Sequence, residues 1–239
     1  FYERFKFKTS ISFEKLLSFS EEFMDKFIYQ YFKDHSTNCS QAIKLLENIL
    51  SLTKDNLSKK QLLIKWCQEF FSLLNREKVT QDEKDEIFEK IYPCICDFSD
   101  CDWQVKDDLL NEKTAQNIFS SKVFFPMNLL ISIASNSNWN KVKMILEQAY
   151  SNDKRKLVAK CIIVYKAGAI FSSLDNDWFA EIMENLFDNH FNDYNYSFAM
   201  FSFSRYYSVE FVKKLINLNI FNRLINSKEF NENSSRYYV

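Results

Sequence analysis

The chain has 239 residues, 46% hydrophobic and 26% charged, which is a globular composition and excludes a disordered or low-complexity chain. The chain contains only one glycine and two prolines. This excludes glycine-dependent hairpins, a phosphate-binding glycine loop and a dinucleotide-binding fingerprint, which all need several glycines. The net charge of −1 lacks the basic excess that is typical of a nucleic-acid-binding domain.

The cysteine content and the hydropathy of the sequence indicate the cellular compartment of the protein. Six cysteines in a chain of this length predict reduced thiols packed in helices rather than a disulfide framework, which favours an intracellular protein. No apolar run reaches the roughly 18 residues of a membrane span, so we expect no membrane contact. Because the chain begins with Phe1 rather than Met, we expect it to be a segment of a longer soluble protein.

Apolar residues recur at helical spacing along almost the whole chain, which predicts an all-α fold, an antiparallel multi-helix bundle or short solenoid of about nine or ten helices. In the first half the predicted helices cover Phe13 to Phe32, Ala42 to Leu52 after the candidate N-caps Ser36, Asn38 and Ser40, Ser58 to Leu74, and a helix that opens with a Thr80–Glu83 capping box. Pro93 is expected to stop the last of these helices. A long connection should follow from Cys94 to Lys106.

The second half continues the pattern. A short helix is expected near Val105 to Ile118, and Pro126 suits the first turn of the next helix, which ends before Asn136. Two antiparallel helices should follow, at 142–150 and 157–165, with Gly168 at or near a C-terminal cap. Asp175 to Asp177 offers an N-cap for a helix that begins at Trp178. The final helix is predicted from Ser208 to Leu224, and the aromatic run at 191–207 is expected to be helical or irregular.

Charge is distributed unevenly along the chain. Residues 76–113 carry 12 acidic and 6 basic side chains, whereas residues 141–166 carry 7 basic and 2 acidic ones. Segregated charge orients partners, although two solvated helix faces explain the same pattern.

Few residues are candidates for chemistry. Cys94, Cys96 and Cys101 lie near three aspartates but lack a zinc-knuckle spacing, and the two histidines, His35 and His190, lie in polar turns far along the chain. Acidic pairs such as Asp107 and Asp108 have no apolar surroundings that would raise a carboxyl pKa. We therefore expect no enzyme, no cofactor and no metal.

Aromatic residues make up 17% of the chain, with 25 phenylalanines, which is more than a modest helical core requires. Some are expected to line a groove between helices. Such grooves bind short peptides or a partner helix, so an interaction role ranks above an enzymatic one.

The helices, taken in order, resemble the TRF homology domain of the telomere-repeat-binding factors. The resemblance rests on Asn38 to Ile43 with the leucine-rich helices up to Leu74, on Ile133 to Tyr150 with the turn Asn138-Trp139-Asn140-Lys141, and on Lys154 to Phe191. The abundance of Phe, Asn, Lys, Ile and Tyr favours a yeast member of the family. The resemblance implies that residues 1–239 form one all-α domain and that a Myb-type domain outside this chain binds duplex telomeric DNA.

The family homodimerises through its first two helices and its last, and it docks short peptides after the third helix. By position, the resemblance assigns Phe23, Phe27 and Tyr31 to self-association, and Phe70, Phe71, Phe88 and Ile91 to docking of peptides from other telomere-complex proteins. The parent protein would then be nuclear, at telomeres, where it recruits partners and regulates telomere length.

This sequence departs from the family in a longer region after the third helix, with Cys94 to Cys101, and in the aromatic stretch at 191–207. Two alternatives stay open: the bridging subunit of a yeast shelterin complex, and an α-helical repeat scaffold or helical enzyme unrelated to telomeres.

Overall fold

A computed structural model describes residues 21–33, 37–52, 56–105, 115–173, 177–178, 181–182, 209–217, 219 and 222. The predicted all-α fold class is confirmed, since the regular structure in these described ranges is helical and contains no strand. The chain divides into two compact units, one up to Ile95 and one from Cys96. The single domain at 1–239 stays a prediction.

The first unit consists of α1 (Glu21–Lys33), α2 (Cys39–Leu50), α3 (Asn56–Leu74) and α4 (Gln81–Cys96), whose last residue already belongs to the second unit. Helix α3 packs against both α1 and α2. The second, third and fourth predicted helices are confirmed to within a few residues. The described part of the first, from Glu21 onward, is also helical, whereas residues 13–20 lie outside the described residues.

An aromatic cluster of Phe32, Trp66 and Phe70 forms the centre of the first unit. The Trp66 ring stacks on Phe70 at 4.6 Å between centroids, and Phe32 meets both rings edge-on at about 6 Å. The Trp66 indole Nε1 donates a 3.0 Å hydrogen bond to the Ala42 carbonyl oxygen of α2. Trp66 therefore joins three helices while its one polar atom is satisfied.

Two predicted N-caps are present. Asn38 accepts a hydrogen bond from the Gln41 backbone N–H, and the Gln41 side chain accepts one from the Asn38 N–H, both at 3.0 Å. Thr80 and Glu83 form the same reciprocal pair at the start of α4. Acceptance of these bonds lowers the pKa of Glu83. Each pair satisfies backbone donors that have no partner within the helix.

Pro93 does not stop α4, so this prediction was wrong. The helix continues for three residues to Cys96, although a proline lacks the N–H that would bond to the Glu89 carbonyl. The reason is the apolar face, on which Ile91 and Ile95 lie one turn apart and are both buried, while Pro93 itself faces solvent.

The second unit begins with the 3-10 helices Asp100–Trp103 and Ala115–Ser120. It continues with α5 (Phe124–Ile133), α6 (Trp139–Ser151), α7 (Lys156–Tyr165), α8 (Ala167–Ser173) and α9 (Val209–Asn217). Helix α5 is buried on nearly every side and contacts α6, α7 and α8. Pro126 lies in its first turn, as predicted. In the ranges that the structure describes, no helix is long and apolar enough to cross a bilayer.

The turn Ser99–Trp103 fixes the start of the second unit. The buried Asp102 carboxylate accepts hydrogen bonds from the Ser99 N–H and hydroxyl at 2.9 Å. The backbone carbonyl oxygen of Asp102 accepts hydrogen bonds from the Ser121 hydroxyl and the Val123 N–H, just before α5. Asp100 accepts from Arg155 Nε at 2.6 Å, which ties the same turn to the connection between α6 and α7.

Gly168 lies near a C-terminal cap, as predicted: α7 ends at Tyr165, Lys166 is its C-cap, and Gly168 follows two residues later, inside α8 and without a positive φ. One further prediction was wrong in detail. The last helix does not run continuously from 208 to 224, because α9 ends at Asn217 and Asn219 adopts a φ of 55°. Asparagine tolerates this left-handed conformation better than most residues, so it closes the helix here.

Several predictions lie outside the described residues. These are the segment 106–114 of the short helix expected after Val105, the N-cap at 175–176, the aromatic run 191–207, and His35 and His190.

We expect Pro93→Ala to raise the free energy of unfolding by about 1–2 kcal/mol. The alanine N–H can bond to the Glu89 carbonyl, and this gain exceeds the added freedom of the unfolded chain. Urea denaturation followed by circular dichroism measures the change. Pro126→Ala is the matched control: its position in the first turn of α5 needs no N–H, so no gain is expected there. Equal effects at both sites would contradict this explanation.

Candidate interaction surfaces

Phe23, Phe27 and Tyr31 form a row along α1, which we call the α1 aromatic strip. They are spaced four residues apart, and the Phe27 and Tyr31 ring centroids are 6.1 Å apart. All three side chains are half-buried, whereas Ile28 and Phe32 of the same helix are buried. The apolar face of α1 is thus wider than the part that the core covers.

The end of the α1 aromatic strip is held in place by the start of α2. The Tyr31 hydroxyl donates a 3.1 Å hydrogen bond to the Gln41 carbonyl oxygen, and the Thr37 hydroxyl donates to the Tyr31 carbonyl. Burial raises the pKa of Tyr31, so it remains a neutral donor at physiological pH. Tyr31 is therefore held in place at the end of the strip, with the Phe27 ring beside it.

The residues assigned to peptide docking are mostly in the core. Phe70, Phe88 and Ile91 have no exposed surface, Phe70 within the aromatic cluster around Trp66 and Phe88 stacked on Tyr92 at 5.7 Å. Phe71 alone of the four is half-buried. Buried side chains cannot reach a partner in this conformation, and their docking role stays a prediction.

The six cysteines differ in their burial. Cys39, Cys67 and Cys161 are buried, Cys94 is half-buried, and Cys96 and Cys101 are exposed. Burial raises the pKa of all three buried thiols, that of Cys39 to about 12 with a contribution from Glu83, so none of them is a ready nucleophile. Among the described residues, no group of three or more His, Cys, Asp or Glu side chains is placed to hold a metal ion.

The helical hairpin of α6 and α7 carries the basic excess predicted from the sequence. Lys156 and Lys160 of α7 both point at the ring of Tyr150 in α6, with each Nζ 5.7 Å from its centroid. Lys143 lies over Trp178 at 5.9 Å, and the Trp178 indole donates a 3.0 Å hydrogen bond to Glu147. Aromatic rings thus face these three lysines.

A buried polar cluster lies where α5 meets the end of α7. The Lys166 side chain is 2% exposed, and its Nζ is 2.6 Å from the Ser132 hydroxyl, which in turn donates to the Asn128 carbonyl. Burial lowers the pKa of Lys166 to about 7. Asn128 is also buried, and its side-chain oxygen has no hydrogen-bond partner among the described residues.

Sequence reasoning missed both the lysine pair and buried Lys166. The spacing of Lys156 and Lys160 by four residues was a usable signal for the pair, because it places them on one side of a helix. No comparable signal marks Lys166, whose burial depends on the packing of α5 against α7.

In comparisons with known proteins, no family model, no curated protein and no solved structure matches the chain.

We expect Lys166 to make stability depend on pH. Its pKa is about 7 in the folded chain and about 10.4 in the unfolded chain, so between these values the unfolded state binds more protons. The free energy of unfolding should therefore rise as pH increases from about 7 toward 10, and stay low below 7, where the buried amine is charged. Urea titrations of the wild type and of Lys166→Met across this range measure the effect.

Lys166→Met keeps the length of the side chain and removes the charge. The difference in unfolding free energy between the two proteins should be largest below pH 7 and shrink above it. Curves that stay parallel throughout would show that the amine does not titrate in this range.

Proposed function

We propose that the chain is a non-catalytic scaffold domain that binds other proteins through the surfaces of its helices. The observation that carries this proposal is the α1 aromatic strip, a row of three half-exposed rings on a helix whose Ile28 and Phe32 are buried in the core. Rings that are held in place lose little entropy on binding, and aromatic residues are enriched in protein interfaces.

Helix α9 offers a second apolar surface. Val209 and Ile216 lie seven residues apart, on one side of the helix, and are 66% and 54% exposed. The resemblance to the TRF homology domain assigns self-association to the first helices and the last. The exposed apolar residues of α1 and α9 support the same assignment here.

The biological setting of the proposal comes from the resemblance alone. We propose that the parent protein works in the nucleus, at telomeres, where this domain recruits telomere-complex proteins and a separate domain binds duplex DNA. The net charge of −1 supports the separation of these roles, since the chain lacks the basic excess for strong phosphate contacts.

We expect the wild-type chain to form a dimer through the α1 aromatic strip. Phe27→Lys places a charge in the middle of the strip and should weaken self-association at least about tenfold, as for a residue at the centre of an interface. Sedimentation equilibrium over a range of concentrations measures the change. Gln30→Lys, an exposed position of the same helix, is the matched control and should leave the dimer unchanged.

Circular dichroism establishes that the variants are folded, and Phe23→Lys provides a second substitution in the strip. A wild-type chain that stays monomeric would rule out self-association through α1. For the setting, chromatin recovered with the parent protein should be enriched in telomeric repeats, and the chain alone should not shift a duplex of those repeats in a gel. Tight sequence-specific binding of that duplex by this chain would contradict the proposal.

A further inference from the structure

Three half-buried side chains form a charged aromatic cluster on the α6–α7 hairpin. Lys156 and Lys160 are one turn apart on α7, and their amines approach the same Tyr150 ring at 5.7 Å each. The cation–π contacts place both amines beside one aromatic ring.

Lys156 and Lys160 form no ion pair with a carboxylate in the described part of the chain, and several neighbouring cations of the hairpin have other contacts. Arg155 and Lys154 both contact Asp100, at 2.6 and 3.9 Å. Lys143 lies over Trp178, and Lys166 is buried against Ser132. Within the described residues, Lys156 and Lys160 thus hold two positive charges beside one ring without an ion pair to a carboxylate.

The local electrostatics disfavour two cations at this place. Partial burial, with the charge of Lys156, lowers the pKa of Lys160. Lys156 also lies in the first turn of α7, where the helix dipole is positive and where no acidic residue or side-chain cap is present. A bound anion relieves both effects, because it neutralises the amines and faces the positive end of the helix.

We propose that Lys156, Lys160 and Tyr150 form a docking site for an acidic segment of a partner protein. The inference rests on the proposed scaffold function and names the chemistry of one partner. Residues four apart on a helix have Cβ atoms about 6 Å apart. In an extended peptide, side chains two residues apart face the same way at about 7 Å, so an acidic residue, any residue and a second acidic residue match the lysine pair.

An acidic protein segment suits the site better than a nucleic acid. A nucleic acid presents many phosphates in a row and calls for an extended basic surface, whereas this site offers two amines in a chain of net charge −1. Two carboxylates balance the two amines, and the Tyr150 ring adds an apolar contact for the backbone between them.

The test uses the whole chain and a fluorescein-labelled peptide of alternating glutamate and alanine, with fluorescence polarisation at low ionic strength. The wild type should bind the peptide, and added salt should weaken binding because the contacts are charged. Lys156→Gln with Lys160→Gln should weaken binding about tenfold, the combined effect of two partly exposed ion pairs. The pair Lys156→Arg and Lys160→Arg should retain binding.

The matched control is Lys44→Gln with Lys78→Gln, which removes the same charge from two exposed lysines of the first unit and should change the affinity less than about twofold. Equal weakening by both pairs would show attraction by net charge and overturn the docking site. Failure of the wild type to bind the peptide, or stronger binding of duplex DNA of equal charge, would also overturn it. Dimerisation through α1 is measured separately by sedimentation equilibrium. Failure of the peptide-binding test therefore does not decide the scaffold proposal, and the absence of a dimer does not decide the docking site.

Discussion

The near absence of glycine is the constraint that shapes this chain. Glycine mainly closes the C-terminal ends of helices, whereas polar side chains satisfy the free backbone groups at the N-terminal ends. Asn38 and Thr80 close the starts of α2 and α4, and Ser99 with Asp102 closes the turn before α5. Asn219 takes the left-handed conformation that glycine usually provides.

Asparagine fulfils the same need in the connections of the second unit. The Asn138 side chain accepts from the Ser135 N–H at 2.8 Å before α6, and that of Asn152 accepts from the Lys154 N–H at 2.9 Å before α7. These local bonds keep the connections short. Short connections then bring α6 against α7, which is what places Tyr150 beside Lys156 and Lys160.

The same local character explains how much could be predicted from the sequence. The helices and their caps follow from residues close together in the chain, so the apolar spacing and pairs such as Thr80 with Glu83 were sufficient. The continuation of α4 through Pro93 could not be predicted in this way. Burial of Ile91 and Ile95 is a tertiary effect, and it outweighs the lost hydrogen bond.

The candidate surfaces were harder to predict for a related reason. Apolar spacing places a residue on the inner face of a helix but does not tell which part of that face a neighbour covers. Phe70 and Phe71 are adjacent, yet Phe70 is fully buried and Phe71 is half-buried. The same holds for charge: Arg155 pairs with Asp100, Lys160 faces a ring, and Lys166 is buried. Basic side chains of one short segment thus lie in three different environments, and tertiary packing determines which.

These environments determine which lysines can serve a partner. A cation that already has a carboxylate must exchange one ion pair for another, so it contributes little to binding. A buried amine such as Lys166 cannot reach a partner, and its charge acts on stability instead. Lys156 and Lys160 are half-buried, lie near the Tyr150 ring and form no ion pair with a carboxylate of the described residues, so an added carboxylate gains a contact there. The α1 aromatic strip works by the opposite chemistry, because burial of apolar rings depends little on salt. A scaffold with both kinds of surface can therefore bind two classes of partner whose affinities respond differently to ionic strength.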